Sequence, residues 1–74
     1  MFLETAEKEH FVSNELLYAL RKTHKDVKDA WYEADEKREY VYVEFTYGQI
    51  RRVDVTGGGV ASILLDVTLA LCEQ

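Results

Sequence analysis

The chain has 74 residues, a formal net charge of −5 and a single cysteine. This length fits one domain, so residues 1–74 are treated as a single small domain. One cysteine excludes an internal disulfide, and no Cys/His cluster has zinc-ligand spacing, so we expect neither a metal nor another cofactor. A domain this short buries only about 60% of the surface that its unfolded chain exposes. It therefore depends on close packing or on a second chain for stability.

The acidic balance argues against two classes of partner. Binding to nucleic acid or to anionic lipid requires a basic surface, so we expect neither nucleic acid nor membrane as a partner. No stretch approaches the roughly 20 apolar residues of a membrane span. Residues 1–12 carry charges where a signal peptide has its apolar core. Together with one free thiol, these features predict a cytoplasmic protein.

A helix is the first predicted element, and its pattern is clearest over residues 13–22. Its apolar residues recur on one stripe, namely Val12, Leu16, Leu17 and Leu20. Ser13 or Asn14 can cap its start. The residues before Ser13 either form an earlier helical turn or extend this helix, and the sequence leaves both possibilities open.

Three strands are predicted next, over residues 27–34, 39–47 and 50–55. The middle run alternates aromatic and β-branched residues with period two, as a strand does. An odd-length loop at Gly48 keeps the apolar residues of the last two strands on one face and pairs Val43 with Val53. The same register places Glu44 opposite Arg52 on the other face.

The first strand presents its better core face at even positions, namely Ala30, Tyr32 and Ala34. This choice sends Trp31 to the opposite, open face of the sheet, which it shares with Tyr40, Tyr42, Glu44 and Arg52. Tyrosine, tryptophan and arginine are enriched at interface hot spots, so the open face is a candidate protein-interaction surface. Two alternatives are stacking on single-stranded bases, which the acidic residues of the face disfavour, and simple cross-strand stabilisation of the sheet.

Residues 60–72 are predicted to form the last helix, and they are apolar well beyond a one-sided stripe. The sheet can cover one side and the first helix another. In a domain this small, apolar surface remains for a second subunit to cover, and Leu65 and Leu69 are the candidate contact residues. Cys72 has no nearby cation in the sequence, so it is interpreted as a small apolar residue rather than a reactive thiol.

These elements predict an α+β fold of order α-β-β-β-α, with a three-stranded antiparallel sheet and two helices packed on one face. The order resembles that of double-stranded-RNA-binding domains, whose final helix begins with a basic cluster that grips phosphates. Here that place holds residues 57–62, which are uncharged. The resemblance therefore implies the order of elements and not RNA binding. In size and charge the chain is also similar to small acidic proteins encoded by phages, among them inhibitors of CRISPR nucleases.

The most motif-like feature is the run V-D-V-T-G-G-G-V-A-S, in which Gly57, Gly58 and Gly59 precede a helix. Backbone amides at such a junction can bind phosphate, so the three glycines are a weak phosphate candidate. The run lacks the lysine of a P-loop and the spacing of a dinucleotide motif. We interpret it as a turn that needs positive φ, with Thr56 or a glycine capping the helix.

No residue pattern points to catalysis. His10 and His24 have no partner at ligand spacing and are interpreted as surface residues. The hypothesis is a non-catalytic protein-interaction module that self-associates through the open sheet face or the exposed side of the last helix. The alternative is a small acidic inhibitor from a phage or mobile element that mimics nucleic acid in a basic groove.

Overall fold

The computed structural model describes residues 2–72, with side chains from residue 6 onward. The N-terminal helix is one continuous helical run made of α1 (Phe2–His10), a π-helical segment (Phe11–Leu16) and α2 (Leu17–Thr23). Three strands follow, β1 (Val27–Ala34), β2 (Glu39–Phe45) and β3 (Ile50–Asp54), and then the C-terminal helix α3 (Val60–Cys72). The predicted α-β-β-β-α order is confirmed.

The N-terminal helix begins well before Ser13, so the predicted cap at Ser13 or Asn14 is wrong. Asn14 lies inside the π-helical segment, where its side-chain amide donates to the carbonyl oxygen of His10 at 2.9 Å. At the end of this segment the Leu17 amide donates to the carbonyl oxygen of Val12, five residues back, which is the π-helical pattern. The stripe that faces the core continues through the segment and is buried at Val12, Leu16 and Leu20.

The sheet is antiparallel, with β2 in the centre and β1 and β3 at the edges. Both helices pack on the same face and join it in one core, which contains Val12, Leu16, Leu20, Val27, Ala30, Tyr32, Val41, Val43, Phe45, Val53, Val55, Ile63, Val67 and Leu71. The predicted core position of Ala34 is wrong, because this residue ends β1 opposite Glu39 and is exposed beside the turn. Burial of alternate strand residues is what fixes the two faces of the sheet.

The β2–β3 loop is odd in length, as predicted, but the predicted pairing of Val43 with Val53 is wrong by two residues. Val53 lies opposite Val41. The loop consists of residues 46–48, because the Phe45 amide donates to the Gln49 carbonyl oxygen at 2.9 Å. Gly48 is the last loop residue and has φ 95°, which is the left-handed position that commonly ends a three-residue hairpin loop. The predicted pairing requires Gly48 at the centre of the loop. Because Gly48 lies at the end of the loop instead, the pairing of β2 with β3 differs from the prediction by two residues.

The left-handed conformation of Gly48 gives a first testable prediction. Replacing Gly48 with alanine should lower the free energy of unfolding by about 1 kcal/mol, since a Cβ atom is strained at positive φ. No atom lies within 4 Å of the added Cβ position, so a steric clash contributes nothing. Urea unfolding measures the change, with Gln49→Ala in the same loop as a control. Equal losses in the two variants would contradict the loop geometry.

Candidate functional site

One cross-strand row on the open face of the sheet contains two of the predicted aromatic residues and Arg52. Trp31 on β1 lies opposite Tyr42 on β2, which in turn lies opposite Arg52 on β3. The Trp31 and Tyr42 rings stack with 5.6 Å between centroids and 8° between planes. Trp31 is therefore on the open face, as predicted. The predicted pair of Glu44 with Arg52 is wrong, because the two-residue register shift places Tyr42 opposite the arginine.

Tyr40 completes the group, which we call the aromatic cluster (Trp31, Tyr40 and Tyr42). The Tyr40 ring lies 6.3 Å from that of Tyr42 at 57°. The guanidinium carbon of Arg52 lies 4.6 Å from the centre of the Tyr40 ring, which is cation–π geometry. These contacts leave all three aromatic side chains half-buried. The cluster is thus held in a defined arrangement on a face that the helices do not cover.

Carboxylates lie in the two cross-strand rows that flank the row of Trp31, Tyr42 and Arg52. One row contains Glu33, Tyr40 and Asp54, and the other contains Asp29, Glu44 and Ile50. The indole N–H of Trp31 donates to Glu33 Oε2 at 3.0 Å, so this carboxylate is placed beside the aromatic cluster. The open face therefore combines aromatic rings at its centre with four carboxylates around them.

Two cations approach this face from its margins. Lys28 Nζ lies 3.9 Å from Glu44, and Arg38 Nη1 lies 3.2 Å from Asp54. The hydroxyl and amide of Thr56, and then Arg38, hold the pKa of the Asp54 carboxyl below its ordinary value. Both cationic side chains are 61% exposed, so water screens these ion pairs and they are weak.

The second candidate surface is the side of α3 that faces away from the core. Leu65 and Leu69 each follow a buried residue of α3 by two positions, which is about 200° around a helix. They are 58% and 53% exposed. We define the outer face of α3 as the exposed apolar residues on this side, Ala61, Leu65, Leu69 and Cys72. The sequence prediction that this helix has more apolar surface than the domain covers is consistent with these exposures.

The three glycines before α3 are partly engaged within the chain. The Gly57 amide donates to Glu39 Oε2 at 3.1 Å, and the Gly58 amide donates to a backbone carbonyl, also at 3.1 Å. The Gly59 carbonyl accepts the first hydrogen bond of α3, so a glycine caps the helix as predicted. The hydroxyl of Thr56 instead accepts from the Glu39 amide at 2.9 Å. A phosphate here would meet the Glu39 carboxylate, which repels it and already occupies the Gly57 amide.

Glu39 also forms a polar contact that the sequence analysis does not identify. Its Oε1 atom accepts from the Lys8 ammonium and from the Tyr32 hydroxyl, each at 2.6 Å. The Lys8 side chain is only 7% exposed and that of Glu39 is 21% exposed. Lys8 precedes Val12 by four residues, so it continues the buried stripe of the N-terminal helix. A lysine in line with an apolar stripe is the signal that would have pointed to a buried partner.

The Glu39 contacts predict acid sensitivity. The Lys8 ammonium, followed by the Tyr32 hydroxyl, holds the pKa of Glu39 below its ordinary 4.5. A carboxyl with a lowered folded-state pKa stabilises the fold above its unfolded-state pKa, and this stability is lost as the pH falls through the folded-state pKa. Glu39→Gln should therefore lose less stability than the parent on acidification, as measured by urea unfolding at neutral and acidic pH. Glu36→Gln, exposed in the β1–β2 turn, should follow the parent, and an identical pH dependence for both variants would contradict the assignment.

His24 contacts a neighbouring hydroxyl at the end of the N-terminal helix. The His24 Nδ1 atom lies 2.9 Å from the Thr23 hydroxyl, which is also near two helix carbonyls, so this contact belongs to the end of α2. No three His, Cys, Asp or Glu side chains of the described part are placed to hold a metal ion. Over the same residues, no helix combines the length and apolarity needed to cross a membrane.

The fold and its two exposed surfaces define a small α+β domain. Comparison of the chain with protein-family models, curated proteins and solved structures gives no match. The open sheet face and the outer face of α3 are therefore the features of this chain that bear on its function.

Proposed function

We propose that this protein is a non-catalytic interaction module that self-associates through the outer face of α3. The observation that carries the proposal is the exposure of Leu65 and Leu69, at 58% and 53%, on the side of the helix opposite the core. Fully burying a leucine side chain contributes about 1.5–3 kcal/mol. A surface of several such side chains gains substantially when a second protein surface covers it.

A second copy of the chain is a suitable partner for reasons of charge and symmetry. Two molecules with a net charge of −5 repel each other over most of their surfaces. Within α3, Asp66 is the only charged residue, so two copies approach with least repulsion at this helix. A two-fold axis at the outer face would place the same leucines of both copies against each other.

The dimensions of α3 fit a modest interface. Its 13 residues span about 20 Å at 1.5 Å per residue, and packed helices lie about 8–10 Å apart. A stable interface buries about 800 Å² per partner, so flanking residues next to α3 must contribute as well. Because α3 alone is smaller than a stable interface, its size supports a reversible association rather than a permanent one.

Sedimentation equilibrium over a micromolar to millimolar series tests the proposal. The average mass should rise from 8.6 kDa toward twice that value as the concentration increases. Added salt should strengthen the association, because it screens the repulsion between two acidic molecules. A constant mass of 8.6 kDa at every concentration would contradict self-association.

The proposal includes a cytoplasmic setting. Cys72 is an exposed free thiol at the end of α3, close to the surface that the second copy would cover. An exposed thiol persists most readily in a reducing compartment. The role proposed for Cys72 is to contribute apolar contact area, without redox chemistry.

The alternative is an acidic phage or mobile-element inhibitor that mimics nucleic acid. Its support is the net charge of −5. A polyanion mimic needs a continuous acidic surface, whereas carboxylates here lie on the N-terminal helix, the β1–β2 turn and the sheet, as Glu15, Glu36 and Glu44 illustrate. Those on the sheet alternate with aromatic rings. Competition against DNA for a basic nucleic-acid-binding protein tests this alternative, and displacement of the DNA would support it.

A further inference from the structure

The open sheet face is a contact surface separate from the outer face of α3. Both helices pack on the other side of the sheet, so self-association through α3 leaves the open face accessible. We propose that this face binds an arginine- or lysine-bearing segment of a partner protein. The cationic side chain lies against the aromatic cluster and pairs with the carboxylates that flank it.

The aromatic cluster supplies the attraction for a cation. A guanidinium or ammonium group binds over an aromatic face, and tryptophan binds it best. Arg52 already shows this geometry within the chain, with its guanidinium carbon 4.6 Å from the centre of the Tyr40 ring. The Trp31 ring lies one strand further along the same face and stacks on Tyr42 at 5.6 Å. A partner's cation over Trp31 would repeat the arrangement that Arg52 makes with Tyr40.

The flanking carboxylates supply the charge complementarity. The three cross-strand rows of the open face contain four carboxylates and one arginine, namely Asp29, Glu33, Glu44, Asp54 and Arg52. The Glu33 carboxylate is held beside the Trp31 ring by the 3.0 Å hydrogen bond from the indole N–H. A guanidinium over that ring is therefore within reach of a planar carboxylate, which it can bind with two parallel hydrogen bonds.

The marginal cations do not block this surface. Lys28 and Arg38 are each 61% exposed, at 3.9 Å and 3.2 Å from Glu44 and Asp54. Such exposed pairs contribute little to stability, so a partner's cation can take the place of Lys28 beside Glu44. The result is a site that a positively charged segment can enter without disturbing the core.

The same charges argue against two other occupants. A single-stranded nucleic acid could stack on the rings, but its phosphates would meet the four carboxylates. A second copy of the chain related by a two-fold axis would bring identical carboxylates together, since such an interface joins the same patch on both molecules. A cationic protein segment can make cation–π contacts with the rings and ion pairs with the carboxylates.

Intrinsic fluorescence can test the proposal directly, because Trp31 is the single tryptophan of the chain. The protein is titrated with a hexaarginine peptide and with the isosteric, neutral hexacitrulline peptide. Hexaarginine should change the Trp31 emission in a saturable manner, and hexacitrulline should not. The Glu33→Gln/Glu44→Gln variant should bind hexaarginine about fivefold to tenfold more weakly.

A matched variant separates a specific site from attraction to net charge. Glu9→Gln/Glu15→Gln removes the same number of charges from exposed positions on the N-terminal helix and should weaken binding by less than about twofold. Equal weakening in both variants, equal binding of hexacitrulline, or tighter binding of an oligothymidine strand would overturn the proposal. The titration is repeated with the Leu65→Gln/Leu69→Gln variant, which should bind hexaarginine like the parent. This result would show that peptide binding to the open face does not depend on self-association through α3.

Discussion

Replacing Glu39 with alanine is expected to lower the free energy of unfolding by about 3 kcal/mol, because it leaves a buried ammonium without its counter-charge. The Lys8 side chain is 7% exposed, and Glu39 Oε1 lies 2.6 Å from its nitrogen. The substitution also removes the acceptor of the Tyr32 hydroxyl and of the Gly57 amide. Because Glu39 is 21% exposed, the expected loss of unfolding free energy is at the lower end of the range for breaking a buried ion pair. Urea unfolding at neutral pH measures the change.

A second substitution distinguishes an unpaired charge from simple loss of contacts. Lys8→Met in the Glu39→Ala background removes the ammonium but keeps an unbranched apolar side chain, so the double variant should be more stable than Glu39→Ala alone. The exposed control Glu36→Ala should stay within about 0.5 kcal/mol of the parent. A double variant no more stable than Glu39→Ala would show that the charge on Lys8 is not the cause.

The second large effect concerns association rather than folding. The Leu65→Gln/Leu69→Gln variant should raise the dissociation constant of the dimer at least about a hundredfold, since two leucine contacts of about 1.5 kcal/mol each are lost and each 1.4 kcal/mol is tenfold. The free energy of unfolding of the monomer should change little, because both side chains are exposed and glutamine is a good helix former. Sedimentation at several concentrations measures the first quantity and urea unfolding the second.

A matched control lies on the other side of the molecule. Ile50 is a branched aliphatic residue of comparable exposure, at 52%, and it lies on the open sheet face. Ile50→Gln should leave the dimer dissociation constant within about twofold of the parent. If Ile50→Gln weakens the dimer as much as the leucine variant does, the interface is on the sheet and not on α3.

Residue alternation was sufficient to predict the two faces of the central strand, β2. Val41, Val43 and Phe45 alternate with polar or aromatic residues, and burial follows that period. The open position of Trp31 follows from the same rule, since it alternates with buried Ala30 and Tyr32. The helical character of residues 60–72 and the exposure of their leucines were likewise predictable from an excess of apolar side chains over the surface available to cover them.

The details that were not predictable depend on geometry between distant residues. The register of the last hairpin depends on which loop position Gly48 takes, and composition alone does not fix that position. The contact between Lys8 and Glu39 joins residues 31 positions apart, and no local pattern pairs them. The helical state of the residues before Ser13 stayed open because Glu7, Lys8 and Glu9 interrupt the apolar pattern there. Among residues 6–10, Lys8 is the one that is buried.

Isotope-filtered NMR on a mixture of labelled and unlabelled protein is the most direct test of the interface on α3. Methyl groups of Leu65 and Leu69 in one copy should show intermolecular contacts to α3 protons of the other copy at concentrations where the dimer forms. A dimer whose intermolecular contacts all involve the aromatic cluster of the sheet, with none to either leucine, would contradict an interface on α3.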